Sequence, residues 1–290
     1  MKTNHKQLST ALFAVIVLVL LASAIAHADN IYVSCYNSGT IEKLDSSGNG
    51  SIFASGLNRP TGVAFNSSGY LYAATSNKTI EKINSSGNWS HFASGLSTVP
   101  NGLAFDSSGN LYLYAGNYSA ESITKFDSSG NGTTFVSSVN RPQGLAFDSS
   151  GYLYVASYYS GAITKFDSSG NGSLFATSGY SLTGLAFDTS DNLYVANYYD
   201  GTVTKFDPSG NGTIFGTGLQ NPIGLAFDSS GNLYAANQGN GTITRFDPSG
   251  NGSIFASGLD TPTYIATQVP EPATLLLLGL GALVLRRKRS

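Results

Sequence analysis

Few side chains in this 290-residue chain could carry bond-making chemistry, and they are thinly spread. Of three histidines, His5 and His27 lie within the first 28 residues, which leaves His91 in "SHFASGL". Cys35 is the only cysteine, so no intrachain disulfide forms, and its place after "IYVS" reads as a small packed residue. The acidic residues gather in turns such as "DSSGN". An EF-hand-type calcium loop needs several spaced oxygens and a bidentate Glu, which these lack, so hairpin turns capped by the Asx side chain are expected. Lys43, Lys82, Lys125, Lys165, Lys205 and Arg245 recur at one repeat position. Such a ring could hold phosphates, but packed stems with charged tips in water are the simpler expectation. Tyr36, Tyr118, Tyr158, Tyr159, Tyr198 and Tyr199 stand in irregular polar loops such as "SYYSG" and "NYYDG". A tyrosine offers a flat apolar face with a polar tip, which suits sugar rings and protein partners, or packing against its own neighbours.

The elements that must position these residues are repeats. Leu-Tyr or Ile-Tyr pairs begin at Ile31, Leu71, Leu111, Leu153, Leu193 and Leu233, a period of 40 residues with one step of 42. The copy "TGLAFDTSDNLYVANYYDGTVTKFDPSGNGTIFGTGL" (183–219) holds four short runs of β-branched and aromatic residues separated by turn residues, hence four strands. No apolar helical period appears between 29 and 269. Asx turns begin at Asp45, Asn66, Asn84, Asp106, Asp127, Asp148, Asp167, Asp188, Asp207, Asp228 and Asp247, eleven where six full units need twelve. The first unit starts at "NIYVS" without a "GLAF" strand before it, and "TYIAT" (263–267) supplies that strand from the other end. This predicts an all-β, six-bladed β-propeller over 29–268 closed by strand exchange, so that no sheet edge is left open. A β-solenoid has no reason to begin and end at complementary points of its repeat.

The pattern in "RPQGLAFDSSGYLYVASYYSGAITKFDSSGN" (141–171) resembles the NHL repeat of six-bladed propellers across 29–268. In gluconolactonase-type propellers, which it also resembles, metal ligands come from the residue before the Gly of the innermost strand. Here that position holds Thr61, Asn101, Gln143, Thr183, Ile223 and Thr263, with no carboxylate and no His. Divalent metals favour carboxylate, His or Cys ligands, so neither metal nor cofactor is expected. Virginiamycin B lyase-type propellers use a channel His as base, whereas His91 aligns with the outermost strand. The resemblance therefore implies a fold without an evident acid–base pair. A lyase or lactonase with an unfamiliar site stays open as the alternative to a binding module. Thr61, Asn101, Gln143, Thr183 and Thr263, with the six loop tyrosines, are the expected binding face.

Both ends read as addresses. Lys2 and Lys6 precede an apolar run (11–25) and Ala26-His27-Ala28, the pattern of a secretory signal peptide over 1–28. At the other end, Val269-Pro270-Glu271-Pro272 precedes an apolar run (273–285) and the basic cluster Arg286, Arg287, Lys288 and Arg289. Thirteen helical residues reach ~20 Å, short of a ~30 Å hydrocarbon core. The three parts in order resemble the PEP-CTERM sorting signal (269–290). That implies recognition by an exosortase-type processing enzyme, a transient membrane anchor, and delivery to the surface or exopolysaccharide matrix of a Gram-negative-type bacterium. Between 29 and 269, nine Lys and Arg face sixteen Asp and Glu, a net of −7. That disfavours nucleic acid, whose binding rests on neutralised phosphates. The expected function is an exported, non-catalytic binding or scaffold propeller for extracellular polysaccharide or another surface protein.

Overall fold

The computed structural model of the chain describes residues 29–115 and 122–268. The expected signal peptide (1–28), Tyr118 and the C-terminal segment 269–290 lie outside them. Residues 30–268 form one compact unit, and its described residues contain no helix.

Short β-rich runs become strands because each is stopped by a turn with its own hydrogen bonds. All eleven expected Asx turns are present, each closed by two backbone hydrogen bonds. At Asp106, for example, the main-chain N–H takes Asn110 O at 3.0 Å and Gly109 N–H returns to Asp106 O at 3.0 Å. Asp106 Oδ1 accepts from the N–H of Ser108 and Asn110, and Oδ2 accepts from the Asn110 side chain at 2.7 Å. The carboxylate thus satisfies the donors that the reversal leaves unpaired.

The strands assemble into six four-stranded antiparallel sheets. Five blades run in chain order from an innermost strand: Pro60–Phe65, Pro100–Phe105, Pro142–Phe147, Leu182–Phe187 and Pro222–Phe227. They are the second to sixth blades. In the first blade the innermost strand is Pro262–Gln268, which pairs with Asn30–Cys35, followed outward by Thr40–Leu44 and Gly50–Ala54. Neighbouring innermost strands touch all the way round, Pro262–Gln268 lying against those of the second and sixth blades.

Each of the six apolar cores lies between two blades. In five of them the centre is the Tyr of the Leu-Tyr or Ile-Tyr pair, held edge-on between a Phe of its own outermost strand and a Phe of the next innermost strand. Tyr154, for example, meets Phe175 at 5.0 Å and Phe187 at 4.9 Å. Such edge-to-face pairs are worth about 0.5–1.5 kcal/mol each beyond their buried area. The third-strand cations lie over this layer, with Lys125 Nζ 5.2 Å from the Tyr112 ring and 3.8 Å from Asp106. Cys35 is buried in its strand, and burial, with Glu42 beside it, pushes its thiol up to about 12. His91 sits on the outermost strand Trp89–Ala93, its Nδ1 2.8 Å from the buried Glu81.

Candidate functional site

The innermost strands are irregular at the residue that precedes Gly. Pairing with the second strand slips there, between Pro60 and Val63, Pro142 and Gly144, and Leu182 and Leu185. A bulge of this kind re-aims a side chain, and here it turns Thr61, Gln143 and Thr183 toward the axis. The Gly that follows allows neighbouring blades to approach. At Gly62 and Gly144 an added Cβ would run into the carbonyl of the next blade's ring residue, Asn101 or Thr183.

Above this collar the irregular loops are anchored to the turn that enters the innermost strand. The N–H groups of Tyr36, Tyr158, Tyr198 and Gln238 donate to the carbonyls of Thr261, Arg141, Ser181 and Asn221 at 3.0–3.2 Å. Those four acceptor residues are non-glycines with φ between +42° and +66°, an uncommon left-handed conformation costing about 1–3 kcal/mol each. The loop positions are therefore held rather than merely exposed.

The result is a cavity of about 410 Å³ at the axis. It brings together Tyr36, Tyr158, Tyr159, Tyr198 and Tyr199 with Thr61, Asn101, Gln143, Thr183, Ile223 and Thr263. These are every residue expected from the sequence except Tyr118, which lies outside the described residues. The tyrosines of the fourth and fifth blades form a continuous cluster, with ring centroids of Tyr158 and Tyr159 5.0 Å apart and those of Tyr198 and Tyr199 5.2 Å apart. Tyr158 bridges the blades, 6.4 Å from both Tyr198 and Tyr199. Tyr159 and Tyr199 are 49% and 72% exposed, so their rings are available at the rim. Burial, then a hydrogen bond with Tyr199, pushes the Tyr158 phenol well up. Burial and the neighbouring Tyr199 also raise the Tyr198 phenol, so both phenols are neutral at physiological pH.

The ring residues divide by role. The threonines are buried and their hydroxyls tie one blade to the next: Thr61 Oγ1 donates to Pro100 O at 3.0 Å and Thr183 Oγ1 to Pro222 O at 2.9 Å. Thr263 Oγ1 makes the equivalent, longer bond to Pro60 O at 3.4 Å. Their donors are used by the fold, and the expectation of a binding threonine ring reduces to acceptor lone pairs. Asn101 and Gln143 are less committed, joined by an Nδ2–Oε1 bond of 3.1 Å.

Five lining residues were missed from sequence: Ser76, Val99, Arg141, Gln238 and Tyr264. Ser76 and Gln238 share the repeat position of Tyr36, Tyr158 and Tyr198, so register alone could have found them. Tyr264 could have been found as a break in pattern, because it stands where the other blades have Gly. Its hydroxyl donates to Gln143 O at 2.8 Å, and it borders both the main cavity and a smaller one of about 50 Å³ lined by Val63, Leu103, Leu145, Leu185, Leu225 and Ile265 and by the glycines of three innermost strands. Tyr264 is the floor of the site. Among the described residues no three His, Cys, Asp or Glu side chains come together, and no carboxylate or imidazole lines the cavity.

Residues 268–289 match the PEP-CTERM protein-sorting motif. No curated protein matches the chain. Among solved structures it is similar to a chain of a nidogen/laminin complex, with 18% identity, a TM-score of 0.74, and coverage of 82% of this chain and 98% of that one. It is also similar to virginiamycin B lyase from Staphylococcus aureus (12% identity, TM-score 0.62, covering 83% and 89%). A putative gluconolactonase is a third (19%, 0.59, covering 68% and 77%). Identities this low carry the propeller fold alone.

Proposed function

We propose that this is an exported propeller of the bacterial cell surface or exopolysaccharide matrix that binds polysaccharide through the tyrosine-lined mouth of its axis, without catalysis. In this reading residues 1–28 direct export. Residues 269–290 hold the chain transiently at the membrane until an exosortase-type enzyme recognises Val269-Pro270-Glu271-Pro272 and the basic cluster Arg286, Arg287, Lys288 and Arg289. The strand exchange that places Pro262–Gln268 in the first blade closes the ring and keeps its sheet edge from pairing outside the cell.

The observation that carries the binding role is the Tyr158, Tyr159, Tyr198 and Tyr199 cluster at the cavity rim, set beside the neutral hydrogen-bonding groups of Asn101 and Gln143. Flat rings flanked by amides match a sugar's apolar face and its hydroxyls. The lining groups suit stacking and hydrogen bonding rather than proton transfer.

The test is a titration of residues 29–268, which include all six sheets and all six cores, against the exopolysaccharide of the native host. Saturable binding by the parent, lost in a Tyr158/Tyr159/Tyr198/Tyr199→Ala variant that still folds, is the expected outcome. Absence of binding by the parent would end the polysaccharide reading and leave a surface protein as the partner to seek.

A further inference from the structure

The cavity's only charged lining residue among those described is Arg141, and it is set in a domain with a net charge of −7. Its place is built into the backbone. Arg141 has φ +42°, precedes Pro142, and accepts the Tyr158 N–H on its carbonyl at 3.0 Å. The guanidinium carbon lies 4.2 Å from the Tyr159 ring centroid. Tyr159 in turn joins Tyr158 and, through it, Tyr199. The guanidinium carries five N–H donors in its plane, enough to be shared between protein and ligand in the fork geometry that fits a carboxylate.

Resting on the polysaccharide reading above, we infer that the sugar bound at the Tyr159–Tyr199 platform is a uronic acid, its ring on the tyrosines and its carboxylate on Arg141. The same repeat position holds Arg59, Ser181, Asn221 and Thr261 in other blades, and of these only Arg59 is cationic. Arg59 is exposed, does not line the cavity, and stands 5.6 Å from the Tyr36 ring. The carboxylate position is therefore single, at the fourth blade. Elsewhere the acidic surface repels a polyuronate, so attraction at this one point would also set where along the face the chain lies.

The experiment compares one oligouronate with its carboxyl-reduced neutral counterpart of equal length, titrated against residues 29–268 and against Arg141→Gln and Arg141→Lys. The parent should bind the acid form at least about tenfold tighter, as a charge-assisted hydrogen bond of ~1.5–3 kcal/mol requires. Arg141→Gln should erase that preference, the acid and neutral forms then binding alike, and Arg141→Lys should fall between, retaining charge but losing the fork. Equal binding of both forms by the parent, or a preference that survives Arg141→Gln, overturns the inference and leaves the polysaccharide reading standing. Binding of neither form by the parent removes both. The parent comparison alone decides the matter should a variant fail to fold.

Discussion

Two departures from the repeat meet at a single joint. Ser34 stands where four of the other five blades have Ala74, Ala156, Ala196 and Ala236, and Tyr264 stands where the other innermost strands have Gly. Ser34 Oγ donates to Thr61 O at 2.6 Å, accepts the Tyr264 N–H at 3.0 Å and lies 2.9 Å from Thr263 Oγ1. The hydroxyl therefore ties the exchanged strand to the neighbouring strand of its own blade and to the innermost strand of the second blade. Tyr264 fills the axis at this joint. Replacing it with the Gly the other blades use should join the two axial cavities into one channel, and the lost aromatic should lower stability by about 3 kcal/mol or more. Chemical denaturation and a crystal structure of Tyr264→Gly would check both effects, and an unchanged midpoint would show that Tyr264 is not a structural floor. Five of the six expected loop tyrosines, Tyr36, Tyr158, Tyr159, Tyr198 and Tyr199, were legible as cavity-lining residues from their loop positions. The use of the threonine hydroxyls as blade ties was not, because a bulge decides which way a side chain points and the sequence shows only its spacing.

At the scale of the element, the Asx turn is the unit that makes forty residues fold as four strands. Five surface aspartates, Asp45, Asp127, Asp167, Asp207 and Asp247, are held below their ordinary 3.8, chiefly by the side-chain amide of the Asn four residues on. A carboxyl depressed in the folded state stabilises it above 3.8, and the contribution disappears as pH falls through the lowered folded value. Melting temperature should therefore be nearly flat from neutral pH down to about 4 and drop below that. The turns at Asn66 and Asn84 provide an internal control. Their side-chain oxygens make the same bonds to the N–H groups two and four residues on, at 2.9–3.1 Å, without a titrating charge. Changing the five aspartates to Asn should keep the fold and remove most of the acid drop. An equally steep drop in the five-fold variant would place the acid sensitivity elsewhere.

Over the whole molecule, the pairing of Pro262–Gln268 with Asn30–Cys35 follows a sequence pattern in which the first unit begins one strand late and a last fragment of the repeats supplies that strand. The layered Tyr and Phe cores follow from the same register. The sixth interface shows its limit: Thr267 occupies the place of the innermost Phe, so among the described residues Tyr234 keeps Phe255 at 5.0 Å as its only ring partner of this layer. Thr267 Oγ1 instead donates to Phe227 O at 2.8 Å. Ending the chain at residue 261 should leave Asn30–Cys35 as an open edge beside the axis, shifting the protein to larger species than the parent on size-exclusion chromatography. An elution volume and melting temperature unchanged from the parent would mean that the ring does not depend on the exchanged strand. What register could not show was the Arg141 side chain beside Tyr159, because a cation over a ring is a contact between loops.

The most direct measurement is a crystal structure of residues 29–268 with an oligosaccharide from the host's own matrix. The account predicts a sugar ring stacked on Tyr159 or Tyr199, above Asn101 and Gln143, at the mouth between the fourth and fifth blades. Sugar bound on another face, or a cavity left empty while the same oligosaccharide saturates the protein in solution, would contradict it.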